Sequence, residues 1–81
     1  PDDFEAQARQ VMENLKAIAA EAGSDLSKAV KTTCFLADMS DFDKFNRIYA
    51  EYFTGKPARS CVAVKTLPKN VLVEVEAIIE L

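Results

Sequence analysis

Residues 57–81, PARSCVAVKTLPKNVLVEVEAIIEL, decide how this chain folds. Two stretches rich in β-branched residues, Arg59–Thr66 and Val71–Leu81, flank the turn-forming run Leu67-Pro68-Lys69-Asn70. The pattern predicts a β-hairpin. With residues 67–70 as its loop, Thr66 lies opposite Val71, and strict alternation assigns the faces. Val62 and Val64 share one side with Val71, Val73, Val75, Ala77 and Ile79, an apolar set suited to packing beneath helices. The other side carries Arg59, Cys61, Ala63 and Lys65 with Leu72, Glu74, Glu76 and Ile78.

Upstream, Phe4, Ala8, Val11, Met12, Leu15, Ile18, Ala19 and Ala22 recur at steps of three and four, which predicts an amphipathic helix from Phe4 to Ala22. Asp2 followed by Glu5 reads as a capping box, and Gly23 as a left-handed C-terminal cap opening a loop to Lys28. The run Ala29 to about Met39, with Val30, Thr32 and Thr33 among Cys34, Phe35 and Leu36, is apolar on both alternating sets and predicts a central strand. A second helix follows, with Ser40 as N-cap and Asp41 and Asp43 in its first turn. Phe42, Phe45, Ile48, Tyr49, Tyr52 and Phe53 lie on one side, and Gly55 closes it. The order α-β-α-β-β makes residues 1–81 a single α+β domain, two helices on one face of a sheet.

At 81 residues the core is thin, since folding at this size hides only about 60–65% of the extended chain's surface. With 49% hydrophobic and 28% charged residues, the composition is that of a globular domain rather than of a disordered or collagenous chain. No run approaches the ~18 apolar residues of a transmembrane helix, so no membrane partner is expected. The balance of 13 acidic against 10 basic side chains gives −3, which argues against a broad phosphate-binding surface and hence against nucleic acid. There is no His, so any chemistry falls to carboxylates, Arg, Lys, Tyr or Cys. Cys34 and Cys61 lack metal or redox spacing and read as reduced thiols, which favours an intracellular location. The chain opens at Pro1 with no signal or transit segment ahead of the first helix, as processing or truncation would leave it.

The polar hairpin face sets a guanidinium and a thiol among carboxylates and aliphatics, so it needs a partner. The bland reading of Arg59 and a Glu on neighbouring strands is a cross-strand ion pair. The sharper one is a site, because Arg grips a carboxylate by two parallel hydrogen bonds while a partly buried Glu exchanges protons near neutrality. Cys61 without a His is more simply a small buried hydrophobe than a nucleophile. The aromatic stripe of the second helix reads as core, Asn46 as a solvated or capping residue beside it, and Lys65 and Lys69 as edge or turn charges.

These same residues carry a resemblance. Pro57-Ala58-Arg59-Ser60-Cys61-Val62, Leu67-Pro68-Lys69 and Val73-Glu74-Val75-Glu76-Ala77-Ile78 resemble the Rid family of reactive intermediate deaminases, also labelled L-PSP endoribonucleases or translation inhibitors. The likeness continues through Ala8-Arg9-Gln10, Asn14-Leu15-Lys16-Ala17-Ile18, Val30-Lys31-Thr32-Thr33, Phe35-Leu36-Ala37-Asp38 and Asp41-Phe42, and Tyr52-Phe53-Thr54-Gly55-Lys56-Pro57 is most similar to fungal mitochondrial and cytosolic members. The resemblance implies a chorismate-mutase-like α+β fold and a homotrimer with clefts between subunits, in the cytoplasm or mitochondrion. It implies further strands N-terminal to this sequence, bearing a Gly-Pro-Tyr segment and a Ser-Gly-Gln strand, so that residues 1–81 form the C-terminal portion of the domain.

By the same resemblance, Arg59 holds a substrate carboxylate, Cys61 lines the pocket, Glu74 positions or activates water, and Asn46 lines the pocket. The implied reaction is hydrolysis of 2-iminopropanoate, 2-iminobutanoate and their enamines to 2-oxo acids and ammonia, with no cofactor. A carboxylate-binding or interaction module without turnover is the alternative, and a ribonuclease or translation inhibitor a third.

Overall fold

The computed structural model describes residues 3–81. Helix α1 spans Phe4–Glu21, strand β1 Ala29–Leu36, helix α2 Phe42–Tyr52, strand β2 Ala58–Ala63 and strand β3 Val73–Ile79. The expected α-β-α-β-β order therefore stands, and short 3₁₀ turns at Leu26–Lys28, Met39–Asp41 and Pro68–Asn70 join the elements.

Local chemistry sets the helix ends. The Ala6 amide donates to Asp3 Oδ2 at 3.0 Å, so Asp3 caps α1, and the capping role expected of Asp2 falls outside the described residues. At the far end Gly23 takes φ +81°, and the Gly23 and Ser24 amides donate to the carbonyls of Ala20 and Ala19 at 3.0 and 2.8 Å. That left-handed closure is the one expected. Ser40 does not cap α2. Asp38 instead accepts from the Ser40 amide, and the Met39–Asp41 turn leads into the helix, which also ends β1 at Leu36 rather than Met39. Gly55 is needed for closeness rather than for φ, because a Cβ there would run into the Ser27 carbonyl oxygen.

The sheet overturns the hairpin. Its strand order is β2-β1-β3, with β1 parallel to β2 and antiparallel to β3, so β2 and β3 never pair. Helix α2 supplies the crossover that parallel neighbours require. The segment from Val64 to Leu72 spans the end of β1, pinned by buried Leu67 and by two extensions of the ladders: the Val64 amide donates to Leu36 O and the Ala37 amide to Leu72 O. Lys69 and Asn70 both adopt left-handed φ in that segment, near 60° and 54°, so it bends more than a simple hairpin loop.

With β1 central, each outer strand takes its facing from β1. Arg59, Cys61 and Ala63 of β2 lie in register with Thr32, Cys34 and Leu36, which in turn face Ala77, Val75 and Val73 of β3. This is the helix-covered face, where Thr32, Cys34, Leu36, Val73 and Val75 are buried with Phe4, Met12, Phe45, Ile48 and Phe53. Each such aromatic or aliphatic side chain contributes about 2 kcal/mol of burial. The open face carries Thr33 and Phe35 with Ser60, Val62, Glu74 and Glu76. Val62, expected inside, is thus left substantially exposed. Arg59 and Cys61 move to the helix side, away from Glu74.

Candidate functional site

Arg59 is the organising residue. Its place opposite Thr32 carries the side chain toward α2, where it stays exposed and meets Asn46 and Tyr49. The Nη1 group donates to Asn46 Oδ1 at 2.6 Å. The guanidinium carbon stands 4.7 Å from the Tyr49 ring centroid and 5.6 Å from that of Phe42. Attraction of a cation to aromatic faces holds the group in place, at about 0.5–1 kcal/mol per contact where water has access. Of five guanidinium donors, one is engaged by Asn46, and the described residues offer Arg59 no carboxylate.

An open pocket of about 480 Å³ adjoins this arrangement, lined by Asn46, Tyr49, Ala50, Phe53, Pro57 and Arg59, with Thr54 and Lys56 completing it. Two cations and no acid make it receptive to an anion, and its apolar wall suits a short carbon chain.

Cys61 lies two residues beyond Arg59 on the same face, half-buried against the core and in register with buried Cys34. Burial raises the Cys61 thiol pKa, partly offset by the charge of Arg59, while burial chiefly and then Cys61 push Cys34 up to about 11. Neither is poised as a nucleophile, in keeping with the reading of Cys61 as a small hydrophobe. Among the described residues no cluster of His, Cys, Asp or Glu could hold a metal ion.

The structure brings Arg59, Asn46 and Cys61 to one face and sends Glu74 to the other, in register with Phe35. The cross-strand Arg59–Glu ion pair has no geometry to form in. Two residues not read from sequence as site residues belong to it: Tyr49, read as core, and Thr32, read as a β-branched strand residue, whose hydroxyl pairs with the Tyr49 hydroxyl at 2.7 Å. A hydroxyl on the buried side of a strand was the available signal. Burial raises the Tyr49 pKa, with the Thr32 hydrogen bond acting against it.

The profile of the endoribonuclease L-PSP family matches residues 1–81. The chain belongs to this family, also called Rid. The Rid chain is 49% identical over 81 residues to the 2-iminobutanoate/2-iminopropanoate deaminase of Salmonella typhimurium, covering 95% of this chain and 63% of that protein. It is 53% identical over 73 residues to the mitochondrial protein MMF1 of Saccharomyces cerevisiae, covering 89% of this chain and 50% of that one. A putative endoribonuclease L-PSP from Entamoeba histolytica superposes with a TM-score of 0.96 at 56% identity, over 100% of this chain and 66% of that chain. E. coli TdcF, solved with bound serine, superposes with a TM-score of 0.88 at 42% identity, over 95% of this chain and 64% of that one. These identities run at similar levels in bacterial, yeast and amoebal proteins, so they do not single out the fungal members. This Rid chain spans at most two thirds of the length of these relatives, and its α+β fold is correspondingly a part of theirs. Among the described residues no helix is long and apolar enough to cross a membrane.

Proposed function

We propose that the protein hydrolyses small reactive 2-imino acids, of the 2-iminopropanoate and 2-iminobutanoate type, to 2-oxo acids and ammonia. The observation that carries this reading is Arg59, held by Asn46 and Tyr49 at a pocket with no competing acid. The name of the Salmonella relative supports it.

Arg59 takes the substrate carboxylate through its unengaged donors, which fixes the adjacent C=N carbon in the pocket. That carbon is already electrophilic, so positioning supplies much of the acceleration. Glu74 takes a proton from water as the oxygen adds to the carbon and passes it to the nitrogen, giving a carbinolamine. Transfer of the hydroxyl proton to the nitrogen by way of the same carboxylate then forms the carbonyl, breaks the C–N bond and expels ammonia. Within one chain Glu74 stands on the wrong face for this, so it reaches the Arg59 pocket of a neighbouring copy in the homotrimer that the family resemblance implies.

Ammonia release from freshly generated 2-iminobutanoate tests the reading. Turnover is expected in the natural protein and lost in Arg59→Ala with its assembly intact. Binding of 2-oxobutanoate without turnover would instead mark a carboxylate-binding module.

A further inference from the structure

We infer that Tyr49, anchored by Thr32, is the positioning residue for Arg59, an inference that rests on the reading of Arg59 as a carboxylate receptor. Among the described residues Thr32 is the buried polar side chain of the core, fully enclosed, and its Oγ1 lies 2.7 Å from the Tyr49 hydroxyl. A Val and Phe pair would fill the same space without desolvating two hydroxyls, so the pair adds little to stability that an apolar core could not supply. What it adds is orientation.

Thr32 and Arg59 are register partners on adjacent parallel strands, and Tyr49 descends from α2 onto both. The hydrogen bond fixes the tip of the ring over β1, and stacking on Phe53, with centroids 4.8 Å apart and planes at 26°, fixes its tilt. The guanidinium, its carbon 4.7 Å from that ring centroid, is held against the ring face, and the bond to Asn46 restricts its rotation there. A two-point grip on a carboxylate depends on that orientation, because both N–H vectors must align at once. A phenol anchored to the sheet thus presets the fork before the ligand arrives, which lowers the ordering cost of binding.

The test uses the natural assembled protein and two readouts. Calorimetric binding of 2-oxobutanoate is expected to weaken about tenfold in Tyr49→Leu and a few-fold in Tyr49→Phe and in Thr32→Val. The double variant Thr32→Val/Tyr49→Phe should be no weaker than either single one, because both remove the same hydrogen bond. In turnover KM rises and kcat falls with it, because the same fork that binds the carboxylate also fixes the C=N carbon. The second readout is the Arg59 Nε–H resonance, expected to be ring-shifted in the unaltered protein and displaced in Tyr49→Leu.

Unchanged affinity and an unmoved Arg59 resonance in Tyr49→Leu, with binding still lost in Arg59→Ala, would overturn the positioning role and leave the carboxylate reading standing. An equal loss for uncharged 2-oxobutanamide, or one that persists in an Arg59→Ala background, overturns it as well, since it would mark a merely structural role. Full binding by Arg59→Ala would overturn the carboxylate reading instead, and the resonance alone then decides the positioning. Tyr49→Phe keeps the ring and gives the comparison its result if Tyr49→Leu fails to fold.

Discussion

Arg59 and Glu74 occupy opposite faces of one sheet, Arg59 in register with Thr32 beneath the helices and Glu74 in register with Phe35 on the open side. Strand β1 lies between them. Side chains so placed cannot converge on one small ligand unless two copies of the chain meet. Arg59→Ala and Glu74→Gln are each expected to be inactive alone. Mixed by dissociation and reassembly they should recover on the order of a quarter of full turnover, the statistical share of clefts with both groups intact. No recovery after demonstrated subunit exchange would place the catalytic acid elsewhere.

Asn46 is expected to matter through Arg59 rather than alone. Its Oδ1 accepts from Nη1 at 2.6 Å, so Asn46→Ala frees the guanidinium to rotate and should weaken 2-oxobutanoate binding about five- to tenfold. Arg59→Lys keeps the charge but loses the planar fork and should bind at least tenfold less tightly. Titration calorimetry checks both, and equal affinities for Arg59→Lys and the unaltered protein would remove the two-point grip.

The two glycines should answer differently to substitution. Gly55→Ala drives a Cβ toward the Ser27 carbonyl oxygen and is expected to cost about 1–3 kcal/mol in denaturant unfolding. Gly23→Ala meets nothing within 4 Å but forces an L side chain to φ +81°, costing about 1 kcal/mol. Gly23→Asn should regain part of that loss, since Asn tolerates the left-handed region. Gly55→Asn should regain none.

Stability should fall in alkali because of Cys34. Its thiol is raised to about 11 in the fold and titrates lower in the unfolded chain, near the ordinary value of about 8.5. The unfolded state therefore loses its proton first. Stability is full below the unfolded value and declines as pH rises toward the folded one. Cys34→Ala, though less stable overall for the volume it removes, should flatten that decline. A thiol reagent at pH 8 should label half-buried Cys61 before fully buried Cys34. Reversed labelling would contradict the burial.

Much of this fold is readable residue by residue. The four-step apolar spacing of Phe4, Ala8 and Met12 builds α1, and Gly23 ends it. The apolar run of Cys34, Phe35 and Leu36 already marks β1 as the centre of the sheet. Arg59 was legible as a site candidate by residue type and by motif, and Asn46 by the family resemblance alone. Tyr49 and Thr32 were not, because an aromatic at helical spacing and a β-branched residue in a strand both read as packing residues until their neighbours are known.

The sequence by itself determined where the helices and extended runs lie, to within a few residues at their ends, and the alternation along each strand wherever no bulge interrupts it, since those are properties of adjacent peptide units. Only the tertiary structure decided which sides of different strands coincide. Facing is relative to a partner: with β1 inserted between β2 and β3, the register with β1 replaces the hairpin register, and every side chain of β2 changes face relative to β3. That one pairing sets Arg59 beside Thr32 and Tyr49 and parts it from Glu74.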